Sequence, residues 1–204
     1  MYKRQLLYAS LLEEGDLPPE QAGQAGILAR QAEKLSFLIQ ALVKASRLET
    51  GILSMVPEDH GLQQLLEEAL LQGRQAAQTK GITLEASPTQ ARARFDPRWT
   101  GEALYNIVDN ALKYTPAGGR VSLWVEEFEL FCAIQVEDNG PGIPEAEQAG
   151  VFGRFQRGEN AREQDGLGIG LYLAREILIR QGGYIKMRSR PGEGSRFSLY
   201  LPRE

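Results

Sequence analysis

Histidine and cysteine are almost missing from this chain, which holds one of each in 204 residues, His60 and Cys132. A single cysteine excludes an internal disulfide framework and any multi-cysteine metal site within one chain, and it fits a reducing cytoplasmic setting. An excess of basic residues is missing too. Lysine and arginine number 23 against 27 aspartates and glutamates, a net charge of −4, so the chain lacks the positive field of a general nucleic-acid binder. Any anion site must then be built from a few placed groups, and no nucleic-acid partner is expected. No apolar run approaches the roughly 18 to 20 residues of a membrane span, and the start, Met1-Tyr-Lys-Arg-Gln5, leads into no signal-peptide core. A soluble piece is expected. Internal repeats and low-complexity tracts are also absent.

The 42% hydrophobic composition suffices for one good core and a small second unit. Residues 2 to 14 read as a short helix with Leu6, Leu7, Leu11 and Leu12 apolar, ending at Gly15-Asp-Leu-Pro-Pro19. A longer helix is expected from about Glu20 to Thr50. There Leu28, Gln31, Leu35, Leu38, Leu42 and Ala45 follow a 3-4 heptad alternation, and Ile27, Ile39 and Val43 widen the stripe. Gly51 supplies the stop. Two antiparallel helices with such a connection make half of a four-helix bundle, and a second copy of the chain most simply supplies the other half. The alternative is that the stripe packs on the chain's own globular domain.

From Gly51 the texture changes, dividing the chain into 1–51 and 52–204. Ile52 to Val56 reads as a strand, Leu62 to Gln78 as an amphipathic helix, and Ile82 to Ala86 and Ala91 to Phe95 as further strands. Asp96-Pro97 then opens a central helix. Val121 to Glu127 and Leu130 to Glu137 alternate like the strands of a hairpin, Ile169 to Gln181 is helical, and Tyr184 to Ser189 and Ser195 to Leu201 close the chain as strands. Between Asp138 and Gly168 lie about thirty residues rich in glycine and charge, and a segment that long is expected to be functional or mobile. Because hairpins interrupt the alternation, an α+β fold with a mixed sheet and helices on one face is expected over a doubly wound parallel sheet.

The chain is organised around Asn106-Ile-Val-Asp-Asn110-Ala-Leu-Lys113-Tyr114-Thr115. As a helix from Glu102 to Tyr114, it turns Glu102, Asn106, Asn110 and Lys113 to one polar face. Ala103, Leu104, Ile107, Val108, Ala111 and Leu112 form the buried side. Two amide oxygens and an ammonium on one face suit a magnesium ion and the phosphates it carries, although a polar face in water has the same pattern.

Two glycine segments flank that possibility. Asp138-Asn139-Gly140-Pro141-Gly142-Ile143 sits where a strand ends. An aspartate there can accept from a purine amino group, and glycines let the backbone approach the ring, but Asp-Asn-Gly alone is also a common turn. Gly166-Leu167-Gly168-Ile169-Gly170-Leu171 leads into a helix, where unpaired amides at the positive end of the dipole suit phosphates. Alone it reads equally as a hinge. Between them, in Val151-Phe152-Gly153-Arg154-Phe155-Gln156-Arg157-Gly158, two aromatics could pin a loop while an arginine reaches a terminal phosphate. A solvated role suits Arg154 better than Arg157.

Taken in order, Asn106-xxx-Asn110-Ala-x-Lys-Tyr-Thr, Asp138-x-Gly-x-Gly-Ile, Phe152-xx-Phe155, Gly166-x-Gly-x-Gly-Leu and Gly192-x-Gly-Ser-x-Phe197 resemble the catalytic domain of bacterial two-component sensor histidine kinases. The resemblance covers roughly residues 52 to 204. Glu33-Lys-Leu-x-x-Leu-Ile-x-x-Leu-x-x-Ala-Ser-Arg-Leu-Glu49 resembles the second helix of that family's dimerisation and phosphoacceptor domain. The resemblance implies a two-layer Bergerat-type fold that binds ATP and Mg²⁺, a homodimer through the N-terminal helices, a response-regulator partner, and a cytoplasmic location under an inner-membrane parent. It implies that Asn110 holds Mg²⁺ with Asn106 close by, that Lys113 contacts phosphate, and that Tyr114 packs at the adenine. Asp138 would bind the adenine amino group, Gly142 would line the base pocket, Arg157 would approach the γ-phosphate, and Gly166, Gly168 and Gly170 would bind the phosphates. Gly140, Ile143, Phe155, Leu167 and Leu171 complete the nucleotide set, Asn106, Lys113 and Arg157 are the catalytic candidates, and residues 143 to 168 become a lid.

Two departures matter. Relatives of the same fold that hydrolyse ATP, such as type II topoisomerases and chaperones, place a glutamate four residues before the metal asparagine, where it serves as general base. This chain has Asn106 there, and an amide cannot take a proton. Transfer to an already nucleophilic imidazole is therefore favoured over hydrolysis. A degenerate nucleotide-binding scaffold is the other alternative, against which the retention of Asn110, Asp138 and the three phosphate glycines argues. The second departure is the histidine itself. The family's acceptor lies upstream of the segment with which this chain begins, whereas His60 falls in Pro57-Glu-Asp-His-Gly61 and reads as a surface turn residue.

Expected, then, is a chain that binds ATP without labelling itself on histidine, because an acceptor misplaced by one ångström can cost on the order of a hundredfold. Extending the N-terminus by about two helical turns of native sequence should restore acid-labile label from γ-labelled ATP. Label on the present chain that disappears in His60→Gln would refute this.

Overall fold

A computed structural model describes residues 54–156 and 168–203 and, before them, residues 26–29, 31, 32, 35, 36, 39, 40, 42–44, 46 and 47. The chain divides into two units, Met1–Leu53 and Ser54–Glu204. In the first, all the described residues are helical, and Ile27, Leu28, Leu35, Ile39, Leu42 and Val43 of the apolar stripe are exposed. The helix expected over residues 2 to 14 lies outside the described residues.

The second unit runs β1 (Glu58–Gly61), α1 (Leu62–Lys80), β2 (Thr83–Ala86), β3 (Arg92–Phe95), α2 (Pro97–Tyr114), β4 (Arg120–Glu127), β5 (Phe131–Asp138), α3 (Glu145–Gln148), α4 (Gly170–Arg180), β6 (Tyr184–Arg190) and β7 (Gly194–Pro202). Five strands form one sheet in the order β2-β4-β5-β7-β6, and β1 pairs with β3 apart from it. Only β2 and β4 run parallel within the sheet, so the sheet is mixed, as the hairpins in the sequence imply. Strand alternation separates its faces. Val121, Leu123, Cys132, Ile134, Val136, Phe197, Leu199 and Leu201 are buried on the side of the helices, where α2 and α4 pack against the strands and each other. The opposite face carries Ser122, Trp124, Glu137, Arg196 and Ser198, with Arg196 paired to Glu137 and its guanidinium 4.9 Å from the Trp124 ring centroid.

The first strand is displaced from its expected place. Ser54 to Pro57 have no regular structure, and β1 forms at Glu58–Gly61 instead. Glu-Asp-His-Gly has little intrinsic strand preference, but pairing with β3 supplies what propensity does not. Arg92 Nε donates to Asp59 Oδ2 at 2.9 Å, and the His60 ring stands 5.4 Å from that of Phe95. His60 is thus a strand residue opposite Ala93, not a turn residue, with Nε2 4.0 Å from Glu58.

Helix α2 starts as its sequence dictates. Asp96 caps it by accepting from the Trp99 N–H at 3.1 Å, and Pro97 occupies the first turn. Buried Gln181, just after α4, accepts from the Asp96 N–H at 2.6 Å and pairs with the Thr100 hydroxyl. At the other end, Lys80 of α1 donates to the carbonyls of Leu112, Lys113 and Thr115 at 2.8, 2.7 and 2.9 Å. All three ammonium protons are used, at the negative end of the α2 dipole. Lys80→Met strands those carbonyls and should lower the unfolding free energy by roughly 1–3 kcal/mol in urea titrations. A midpoint equal to that of the unaltered chain would show that water replaces the ammonium without loss.

Candidate functional site

Three segments meet along α2. Its buried side is Ala103, Leu104, Ile107, Val108, Ala111 and Leu112, joined by Trp99 and Thr100 from the first turns, so Glu102, Asn106, Asn110 and Lys113 are left on the half-exposed face. The turn after β5 abuts its C-terminal end, since a methyl group added at Gly140 would stand 3.2 Å from the Tyr114 carbonyl oxygen. The start of α4 abuts its middle, since one added at Gly170 would stand 3.2 Å from Asn106 Oδ1. The periodicity of one helix therefore places its amides between two glycine segments that are far apart in sequence.

Asp138 ends β5 and is 7% exposed. Burial pushes its carboxyl above the ordinary value of 3.8, and the Glu137 charge adds to this. Two backbone donors act the other way. The Gly140 N–H donates to Oδ1 at 2.9 Å, and the Ser195 amide, opposite Asp138 in β7, lies near enough to favour the charged form. Gly142, at φ 69°, holds a conformation suited to glycine, and a Cβ there would lie 2.0 Å from the Arg190 carbonyl oxygen. The turn is thus pressed onto the β6–β7 hairpin, leaving a buried acceptor beside bare backbone.

Helix α4 begins at Gly170 with no side-chain cap among the described residues, a kind of start that suits an anion. Leu171 lies half-exposed in its first turn. Phe155, at φ 58°, is exposed and its N–H donates to the Gly168 carbonyl at 3.0 Å. Phe152 meets Phe197 edge-on at 6.3 Å, which gives the anchoring role expected of one of the two aromatics. Arg154 points to protein as well as to water: Nη2 donates to the Tyr172 hydroxyl at 2.7 Å. Lys113 pairs with Asp109 at 3.4 Å, one turn earlier on α2. Tyr114 and Ile143 are half-exposed beside the turn. Arg157, Gly166 and Leu167 lie outside the described residues.

Sequence reading missed the groups that hold this arrangement. Ser195 stands in the Gly-x-Gly-Ser-x-Phe pattern, yet its service to Asp138 depends on register between β5 and β7. Gln181 and Lys80 carry no local signal, because their partners lie 85 and 32 or more residues away.

A carboxyl whose folded pKa exceeds its unfolded value stabilises the protein below the unfolded pKa, and that contribution is lost as pH rises through the folded one. The stability of the unaltered chain relative to Asp138→Asn should therefore fall as pH climbs from about 3.8 toward neutrality, the other groups cancelling. Urea unfolding of both proteins across that interval reads the difference. A difference that is flat or rises with pH would contradict the burial effect at Asp138.

Comparison with known proteins follows the same residues. Residues 95–204 match the family of histidine kinase-, DNA gyrase B- and HSP90-like ATPases. The alginate biosynthesis sensor protein KinB of Pseudomonas aeruginosa is 31% identical over 202 residues, covering 97% of this chain and 34% of KinB. The signal transduction histidine-protein kinase/phosphatase MprB of Mycolicibacterium smegmatis is 31% identical over 180 residues, covering 86% of this chain and 36% of MprB. The chain thus spans about a third of the length of these curated relatives. Full-length ShkA, crystallised in complex with AMPPNP, superposes with a TM-score of 0.80 at 25% identity, over 97% of this chain and 42% of ShkA. Among the described residues no helix is long and apolar enough to cross a membrane. The match to residues 95–204, which include α2, the Asp138 turn and α4, places the chain in the family of histidine kinase-, DNA gyrase B- and HSP90-like ATPases, as a homologue of sensor histidine kinases.

Proposed function

We propose that the chain is the ATP-binding catalytic part of a sensor histidine kinase, which binds Mg-ATP and passes the γ-phosphate to a histidine of the dimerisation domain for relay to a response regulator. The observation that carries this reading is the buried Asp138 carboxylate, held by the Gly140 amide in a turn that abuts the C-terminal end of α2. A carboxylate is an acceptor only, so it accepts from the adenine amino group and repels an oxygen in the same place.

The residues present fit the nucleotide. The Gly140 position would be filled by a Cβ, 2.8 Å from Asp138 Oδ1, so bare backbone is needed where the base approaches. Asn110 and Asn106 would hold Mg²⁺ through their amide oxygens, and the ion supplies charge neutralisation to the phosphates when bound. The first amides of α4 would hold phosphate oxygens. Lys113 can exchange Asp109, a half-exposed partner, for a phosphate at little cost. Arg157, Gly166 and Leu167 complete the set on the strength of the resemblance alone. Homodimerisation through the N-terminal helices is part of the same reading, supported by the exposed stripe Ile27, Leu28, Leu35, Ile39, Leu42 and Val43. So is a membrane-anchored parent with this part in the cytoplasm.

Hydrolysis as the purpose of the site is the second reading, since the family includes ATPases of the gyrase and HSP90 type. Asn106 speaks against it, because its amide cannot deprotonate water.

Titration calorimetry tests the binding step. Asp138→Ala should weaken ATP binding by about ten- to a hundredfold, the value of a charge-assisted hydrogen bond, and in Asn110→Ala added Mg²⁺ should no longer strengthen it. ATP affinity unchanged in the first variant removes Asp138 from the base pocket, and a full Mg²⁺ effect in the second relocates the metal.

A further inference from the structure

Ile143 closes the Asp138 turn, and both of its backbone groups are held by side chains. Its N–H donates to Ser189 Oγ at 2.8 Å, and its carbonyl accepts from Gln148 Nε2 at 2.8 Å. The same Gln148 amide donates to the Ser189 carbonyl at 3.0 Å, so the three residues form a closed triangle. Gln148 comes from the short helix α3 and Ser189 from β6, the edge strand of the sheet.

The Ser189 hydroxyl is saturated. It accepts from Ile143 and donates to the Gly194 carbonyl at 2.9 Å, and the Ser195 hydroxyl lies 2.9 Å away, able to donate to its remaining lone pair. Ser195 is also the residue paired with Asp138 across β5 and β7. The first and last residues of the turn are thereby tied to the same two serines, paired across β6 and β7. Further contacts fix the turn's height above the hairpin. The Gly192 N–H donates to the Pro141 carbonyl at 2.8 Å, and Gly194, at φ 98°, lies so close beneath Asp138 that an added Cβ would stand 1.9 Å from its carbonyl oxygen.

We propose that Ser189 and Gln148 form a clasp that positions the Asp138–Ile143 turn for base recognition, and so sharpen the preference for adenine over guanine nucleotides. The inference rests on the nucleotide-site reading above. Its physical basis is that a carboxylate separates an amino group from a carbonyl oxygen only when it is held at hydrogen-bonding distance and angle. Phosphate contacts do not depend on the base, so a loosened turn weakens the two nucleotides unequally. Neither residue is a catalytic one. Both act through the backbone of Ile143 and, for Ser189, through Ser195.

Competition titrations on the full chain with ATP and GTP test this. Ser189→Ala and Gln148→Leu should each weaken ATP binding by roughly three- to tenfold while GTP binding moves by less than about twofold, so that the preference narrows. Ser189→Thr keeps the hydroxyl and should keep the preference. Because both side chains hold one residue, the double variant should lose less than the product of the two single losses. An equal fall for ATP and GTP marks general destabilisation and overturns the clasp, as do an unchanged preference in both single variants and strictly multiplicative losses. If the unaltered chain prefers ATP and the variants keep that preference, the clasp alone fails. If the unaltered chain binds neither nucleotide, the reading of the site fails and takes the clasp with it. Gln148→Leu decides the matter should Ser189→Ala not fold.

Discussion

A carboxyl group nearly shut off from water at the end of β5 is the constraint on which this domain is built. Ionised and unpartnered, a buried carboxylate would cost several kcal/mol. The Gly140 amide, two residues on, meets one oxygen of Asp138. That bond does not satisfy the carboxylate completely, and burial still raises its pKa. An acceptor left with unused capacity, in a site of low dielectric, is what a ligand's donor can reward. The same strand order that builds the sheet sets Ser195 of β7 opposite Asp138.

Helix α2 supplies the second half of the site, and it is fixed at both ends from outside. Gln181 binds its start and Lys80 its finish. Between these anchors the positions of Asn106 and Asn110 are set by helix geometry alone, at 1.5 Å and 100° per residue. Amide ligands carried on such a platform need no loop to be ordered before a metal or a phosphate arrives. Beyond α3, the Phe155 N–H donates to the Gly168 carbonyl just before α4.

What could be read from sequence divides along the same lines. The buried set of α2 was legible because burial on one helix face repeats every three to four residues, and Asp96-Pro97 marked its start by chemistry that acts within one turn. The mixed sheet was legible from its hairpins. Strand β1 was not, because Glu58-Asp-His-Gly61 becomes a strand through its pairing with Arg92–Phe95 and not through its own preference. Ser189, Gln148, Gln181 and Lys80 were not legible for a related reason. Each makes its decisive bond to a backbone atom, which any residue type presents, so no pattern of side chains in the partner segment announces it. The partners of Ser189 are found only once the register of β6 and β7 is known, and those of Gln181 and Lys80 only once α2 is packed.

The polar face of α2 also bears on which chemistry the site can perform. Besides its amides it carries two carboxylates, Glu102 and Asp109. Asp109 is already paired with Lys113, one turn further on. Glu102 sits two turns before Asn110, about 12 Å along the axis by helix geometry. Asn106 itself occupies the turn between Glu102 and Asn110 and offers no lone pair basic enough to take a proton. The face is therefore suited to holding and orienting a phosphorylated ligand while leaving water unactivated. A nucleophile that brings its own basic lone pair, as a neutral imidazole does, needs no such help. In the proposed kinase, an amide in place of a base would protect the nucleotide until such a nucleophile arrives.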